Sequence, residues 1–320
     1  MISEEKPLVS ICCITFNHAK YIRQCIESFL AQKTSFRYEI IVHDDCSTDG
    51  TTEILKEYER KYPNIFKIVY EEENMFSKGV RGFFLKYTIP LAEGKYIALC
   101  EGDDYWNDPK KLEKTVSFLE KNESYYACMH QTKTVDLEGK ETGFFYNIHQ
   151  KTGEIKTNGY LTFPHTSSFV FINPMYDQGN EKRIEYFKKV TGWDKTFAIF
   201  FLSQGKIFYF SDCMSCYRID LKKGSSYMAI EAQNNIIDAK LKIEKELKNQ
   251  IEAYGLRLDI SKHHYYNVII YELLFLFRQP NRDNFEGLKK GWKDTPHKVK
   301  CISFIIAYFL KRMINKVRGR

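Results

Sequence analysis

The sequence lacks any hydrophobic run of the ~20 residues that a bilayer-spanning helix needs; the apolar stretch Cys301–Leu310 stops at ten. The N-terminal residues, Met1-Ile2-Ser3-Glu4-Glu5-Lys6-Pro7, lack the basic and apolar regions of a secretory leader, so none is expected. Internal repeats and low-complexity tracts are missing too, which leaves 320 residues for one large domain or one domain with an extension. A surplus of either charge is missing over most of the chain. The net charge is +7, yet residues 286–320 alone hold ten lysines and arginines against two acids, a surplus of eight. The remainder is near neutral, which argues against a nucleic-acid-binding core. The nine cysteines are scattered, with one metal-like spacing among them. Cys12, Cys13, Cys100 and Cys128 sit in strand-like apolar runs, as reduced packing thiols of a cytosolic protein do. Cys213-x-x-Cys216 has no second pair or histidine at finger spacing, and strand alternation explains it better.

What is present is a strand-helix alternation. Leu8–Ile14 is a continuous apolar run, as expected of a parallel strand buried on both faces. A helix then places Ile22, Cys25, Ile26, Phe29 and Leu30 on one stripe. Tyr38–Val42 predicts the second strand, Phe66–Tyr70 the third and Tyr96–Cys100 the fourth, with a helix carrying Ile54, Leu55 and Tyr58 and another at about Lys78–Ala92 between them. This spacing predicts an α/β fold with a mostly parallel central sheet flanked by helices. Further strands are expected at Tyr125–Val135, His165–Ile172 and Lys206–Phe210, with Phe144–Thr157 as a flap between them. Helices are expected at Pro109–Lys121 and Lys195–Gln204, and from about Ala229 onward. The domain reading is 1–225 for the α/β domain and 226–320 for a helical C-terminal extension with a basic apolar tail. The tail predicts either an interfacial helix at 298–320, on the inner face of the cell membrane, or a helix docked on the fold with its charges solvated.

In such sheets ligands bind beyond the carboxyl ends of the strands. Three polar clusters fall there: Thr15-Phe16-Asn17, Asp44-Asp45 and Glu101-Gly102-Asp103-Asp104. The last puts three carboxylates within four residues, where mutual repulsion and desolvation are costly unless a cation or donors meet them. Capping of the next helix accounts for Asp108 before Pro109, and leaves Glu101, Asp103 and Asp104 unexplained. A divalent ion for a phosphate-bearing ligand explains them, since hard cations take oxygen ligands and magnesium combines carboxylates with substrate phosphates. Blander readings hold elsewhere. Asp44 caps its loop, Asp49 caps the helix at Thr51, Arg81 is a surface residue and His165 is a satisfied strand-end histidine. Tyr105 and Trp106 are as well suited to core packing as to framing a sugar.

With these stretches assembled, the sequence resembles the family 2 glycosyltransferases of the GT-A fold, of the kind that builds bacterial surface polysaccharide such as capsule or O-antigen. The resemblance covers roughly residues 7–220. It rests on Val9-Ser10-Ile11 through Phe16-Asn17, Ile41–Gly50, Gly94–Ala98 through Glu101–Trp106, and Asp194 followed by Gly205-Lys206 and Tyr217-Arg218. It implies that Asp45 hydrogen-bonds the nucleotide base beside Phe16 and Asn17. Asp103 and Glu101 would lie near ribose and diphosphate, Asp104 would hold Mn2+ or Mg2+ with Asp103, and Asp194 would be the catalytic base. Glu101 stands where the common Asp-x-Asp form has its first Asp. Read from local sequence alone, Asp194 is an N-cap on the helix that begins at Lys195.

The implied reaction moves a sugar from a nucleotide-diphosphate donor to a hydroxyl of a glycan or lipid-linked acceptor. One base and one leaving group mean a single displacement and inversion. Two other readings stay open at this point. A sugar-nucleotide nucleotidyltransferase would carry a glycine-rich basic loop after the first strand, and Thr15-Phe16-Asn17-His18-Ala19-Lys20 has no glycine. A non-catalytic nucleotide-binding membrane scaffold would not need the carboxylates that are all present.

Overall fold

The computed structural model describes residues 6–145, 151–155, 165–176, 181–188, 190, 194–220, 241–256, 258–278 and 280–317. Within them one compact unit ends at Asp220 and a second takes the helices from residue 241 onward.

The first unit is built on a ten-stranded sheet. Its order is β3 (Phe66–Tyr70), β2 (Tyr38–Asp44), β1 (Val9–Thr15), β4 (Tyr96–Glu101), β9 (Val170–Ile172), β6 (Tyr125–Val135), β10 (Lys206–Arg218) and β5 (Tyr105–Trp106). β7 (Glu141–Phe144) pairs with β6, and β8 (Gly153–Glu154) with β10. The first four strands run parallel, β9 is antiparallel to both β4 and β6, and β10 is parallel to β6. The mostly parallel α/β sheet that the sequence predicts is therefore present.

Alternation along β1 explains its continuous apolar run. Val9, Ile11 and Cys13 join a core with Ile40 and Val42 of β2, Ala98 and Cys100 of β4, Ile22, Cys25, Ile26 and Phe29 of α1 (Ile22–Leu30), and Leu112, Val116 and Leu119 of α3 (Lys111–Lys121). Leu55 and Tyr58 of α2 (Thr51–Lys61) complete that face. A fully buried side chain such as Ile11 or Phe29 contributes roughly 1.5–3 kcal/mol by leaving water. Ser10 and Cys12 point the other way. Ser10 hydrogen-bonds Glu39 at 2.6 Å, and Cys12 faces Thr88.

Several elements differ from the sequence reading. Between Lys78 and Ala92 only a π turn, Phe84–Thr88, and a 3-10 turn, Ile89–Leu91, form. Gly79 and Gly82 take φ values of 84° and 75°, left-handed angles that break a right-handed helix, and Pro90 removes a donor. The strand expected at Lys206–Phe210 continues to Arg218, its register shifting between Phe210 and Cys213. Of the flap at 144–157, residues 146–150 and 156–157 lie outside the described residues; Gly153–Glu154 is paired as β8. α4 (Glu181–Phe187) and α5 (Asp194–Gln204) precede β10. All nine cysteines are free thiols.

The second unit holds α6 (241–253), α7 (Leu258–Arg278), α8 (Arg282–Asp294) and α9 (Lys298–Val317). Ile236 and Ile237, expected in its first helix, lie outside the described residues. Tyr265, Tyr266 and Ile269 of α7 pack with Cys301, Phe304 and Ile305 of α9 and with Leu288 and Trp292 of α8. Among the described residues no helix is long and apolar enough to cross a membrane.

Candidate active site

Strand order brings the three polar clusters to one edge. β1 lies between β2 and β4, with Thr15 opposite Asp44 and Ile14 opposite Glu101. The chain turns stay stitched past the strand ends: Asp45 N–H donates to Thr15 O at 3.0 Å, and Gly102 N–H to Ile14 O at 2.9 Å. The turn at Gly102 comes so close to β1 that an added Cβ would lie 2.7 Å from Thr15 Oγ1 and 3.1 Å from His18 Nδ1. Only glycine fits there without displacing the acidic turn.

The first two clusters largely hold one another. Asn17 sits in the left-handed region, at φ 54°, and its side-chain oxygen accepts from Thr48 N–H at 2.8 Å. Asp44 accepts from Ser47 Oγ and Thr52 Oγ1, both at 2.5 Å, as expected of a loop cap. Gly50 takes the N-cap position of α2, and Asp49 just before it accepts from Ala19 N–H and Thr51 N–H, so it braces the start of the helix from outside the cap and ties the two loops together. Both oxygens of buried Asp45 are engaged, from Met75 N–H at 2.8 Å and Phe76 N–H at 3.0 Å. Phe16, in contrast, leaves 41% of its surface in solvent.

The third cluster is not self-sufficient. One carboxylate oxygen from each of Glu101, Asp103 and Asp104 lies within 4.8 Å of the others. Asp104 is 1% exposed. Its Oδ1 accepts Arg218 N–H at 2.9 Å, while its Oδ2 has no hydrogen-bond partner among the described residues. His165 Nδ1 lies 3.4 Å from that Oδ2, but it accepts from Ser167 N–H and so offers Asp104 no proton. Burial first, then the neighbouring Asp103, Cys100 and Glu101, hold the Asp104 carboxyl well above the usual carboxylate range. Burial, and then the charge of Lys111, push His165 down to about 3, which keeps the ring neutral. Asp103 Oδ1, Thr15 Oγ1 and His18 Nδ1 are likewise buried without a partner. An oxygen-ligated divalent cation, with phosphate oxygens beside it, fits these orphaned atoms.

Two residues that build this site carry no role in the sequence reading. Arg218 appears there only as part of the Tyr-Arg motif. In the fold it is a buried clamp: Nε donates to Asp103 O at 3.0 Å, Nη1 to Asp136 O at 3.2 Å and Nη2 to Gln24 Oε1 at 2.8 Å, over the face of Tyr21. Lys111 is fully buried, with Nζ 2.5 Å from Ser167 O and 3.8 Å above the Trp106 ring. It thereby fixes the 3-10 turn Thr166–Ser168 that presents His165. A signal for it exists in the sequence, since Lys111 falls one turn before Thr115 on the inward stripe of α3. Trp106 packs against Phe29 at 4.7 Å in the core. His165 is buried and stacked on Tyr217 at 4.0 Å. Arg81 donates to Phe76 O and Val80 O within its own loop.

Asp194 begins α5, and its side chain lies outside the described residues.

Comparison with known proteins agrees with this architecture. The model of the family described as Glycosyl transferase family 2 matches residues 10–179. A protein of Mycobacterium tuberculosis, itself uncharacterized, is 36% identical over 172 residues, which cover 53% of this chain and 48% of that protein. The chain thus spans about half the length of that relative. The putative teichuronic acid biosynthesis glycosyltransferase TuaG of Bacillus subtilis is 40% identical over 114 residues, 36% of this chain and 42% of TuaG. Among solved structures, S. aureus TarS in complex with UDP-GlcNAc superposes with a TM-score of 0.55 at 18% identity, covering 89% of this chain and 80% of that one. The mannosyltransferase PcManGT of Pyrobaculum calidifontis, in complex with GDP-Man and Mn2+, does so with a TM-score of 0.54 at 12% identity, over 99% and 89%. At those identities the likeness is one of fold. The family match spans more than half of the chain, with the acidic turn and both neighbouring loops inside it: the chain belongs to the family 2 glycosyltransferases and carries their GT-A fold.

Proposed function

We propose that the chain transfers a sugar, with inversion, from a nucleotide-diphosphate donor to a hydroxyl of a glycan or lipid-linked acceptor in cell-surface polysaccharide synthesis. The observation that carries this reading is the acidic turn: Asp104 Oδ2 and Asp103 Oδ1 are buried and unpartnered at the carboxyl edge of the sheet. Asp104 and Asp103 would hold Mn2+ or Mg2+ there, with Glu101 near the ribose and diphosphate. Bound in that place, such an ion supplies Lewis-acid neutralisation of the leaving diphosphate.

The nucleotide lies along the β1 and β2 loops. Each Asp45 oxygen keeps a second lone pair after accepting its backbone N–H, and a base N–H takes one of them. The exposed Phe16 ring covers the base, and Asn17 keeps the loop beneath it in place through Thr48. Asp194 receives the acceptor's proton as its oxygen bonds to the anomeric carbon. The bond from that carbon to the diphosphate oxygen breaks, and the electron pair leaves with the nucleotide. A positioned base of this kind contributes ~10²–10⁴-fold.

The test is a pair of variants examined with a panel of UDP- and GDP-sugars. Asp104→Ala is expected to lose the Mn2+-dependent thermal stabilisation by the donor, since a ligand bound only to the folded state raises its stability. Asp194→Asn is expected to keep that stabilisation and lose transfer. Unchanged donor affinity in the first variant, or wild-type turnover in the second, removes the residue from its role.

A further inference from the structure

We propose that α9 is a docking helix that seats the second unit on an anionic lipid surface. This goes beyond the transferase reading, which concerns the first unit. α9 has two apolar faces. The inner one is spent: Cys301 is fully buried, and Phe304 and Ile305 pack on Tyr265, Tyr266 and Ile269 of α7. The outer one is bare. Val299, Ile302, Ile306 and Leu310 are 79%, 47%, 54% and 53% exposed. Their spacing of three, four and four residues puts them on a single stripe along the helix. Scattered exposed apolar residues are ordinary, but four aligned on one helix face form a contiguous patch of the kind that marks an interaction site.

Charge selects the partner. α9 carries Lys298, Lys300, Lys311, Arg312 and Lys316 and not one acid, so basic residues bracket the apolar stripe at both ends. A second copy paired antiparallel along the stripe would set Lys298 and Lys300 of each chain against the other's 311–316 cluster, like charge on like. Lipid headgroups of negative charge satisfy both features: acyl chains take Val299, Ile302, Ile306 and Leu310, and phosphates take the flanking cations. The helix lies on such a surface rather than crossing it, since no described helix meets the length and apolarity of a span.

The test is co-sedimentation of the full chain with phosphatidylcholine vesicles, with and without phosphatidylglycerol. Binding is expected only with phosphatidylglycerol and is expected to fall with added salt, because exposed charges are screened within ~10 Å at 0.1 M. Ile306→Glu combined with Leu310→Glu should weaken it ~tenfold or more, and Lys298→Gln with Lys300→Gln by about fivefold per lysine. Both pairs change solvent-facing positions, so unfolding midpoint and donor stabilisation should stay at wild-type values. Equal binding to neutral and anionic vesicles, or undiminished binding by the glutamate variant, overturns the proposal. So does a wild-type dimer that ignores vesicles and that Ile306→Glu converts to monomer.

Discussion

Lys111 gives the sharpest physical prediction. Its ammonium is fully buried, meets one carbonyl, Ser167 O, and lies over the Trp106 ring, with no carboxylate paired to it among the described residues. Burial pushes its pKa from 10.5 down to about 7. The sign follows from proton counting. Between pH 7 and 10.5 the unfolded chain carries this proton and the folded chain does not, so stability rises with pH across that window, by about 1.4 kcal/mol per pH unit. Below pH 7 both states are protonated, and the full cost of burying the charge is present. Lys111→Met keeps the length and apolar stem of the side chain, removes the titration and forfeits the Ser167 bond, about 0.5–1.5 kcal/mol. Urea unfolding of both proteins at pH 7, 8 and 9 reads the difference directly, since every other titrating group cancels in the comparison. Wild type should gain on Lys111→Met by ~1.4 kcal/mol for each unit, with the variant at its greatest relative advantage at pH 7. Parallel pH profiles would refute the reasoning, because they mean that Lys111 keeps its ordinary affinity for protons when folded.

Two further outcomes follow from the clamp and the turn. Gly102→Ala drives a Cβ to 2.7 Å from Thr15 Oγ1, so overpacking should cost about 1–3 kcal/mol and displace the acidic turn; unchanged Mn2+-dependent donor stabilisation in this variant would contradict the placement of the site. Arg218→Lys cannot reach Asp103 O, Asp136 O and Gln24 Oε1 with one ammonium, and each buried acceptor left unpaired costs about 1–3 kcal/mol. A loss of at least ~2 kcal/mol in urea unfolding is expected, with donor affinity falling less than in Asp104→Ala because the Arg218 backbone N–H still holds Asp104. Wild-type stability would show that the clamp is redundant.

How much of this was legible beforehand depends on whether the deciding contacts are local. The run Leu8–Ile14 announces a strand buried on both faces because its environment is uniform along its length, and the polar residues at its end mark the ligand edge for the same reason. The helix expected at Lys78–Ala92 failed because apolar spacing outvoted two glycines whose angles were not visible in the pattern. The partners of Arg218 and Lys111 are hidden for a different reason, although the inward place of Lys111 on α3 is legible. Arg218 gathers acceptors from residues 24, 103 and 136, and Lys111 meets residue 167; nothing within ten residues of either hints at these partners. Asp45 shows the opposite limit: its place at the edge is readable, but its two bonds come from the backbone of Met75 and Phe76, in a stretch after β3 to which the sequence pattern assigns no element.

The contrast between the loops explains why the acidic turn, and not Asp44 or Asp49, carries the functional argument. All are carboxylates at the ends of neighbouring strands, and all are placed by the same sheet. Asp44 and Asp49 are consumed by hydroxyls and backbone N–H groups two to eight residues away, apart from the one bond of Asp49 to Ala19 N–H, so their charges are met within the loops they brace. Asp104 receives a single N–H from 114 residues downstream and a histidine nitrogen whose lone pair is already committed. A fold selected for stability alone would place an apolar residue there, because a buried carboxylate with an orphaned oxygen is destabilising unless a cation or proton meets it. Arg218 braces the turn through Asp103 O, and Lys111 braces the His165 loop through Ser167 O. The scaffold thus fixes the geometry of the acidic turn while leaving its charge to be neutralised by what binds.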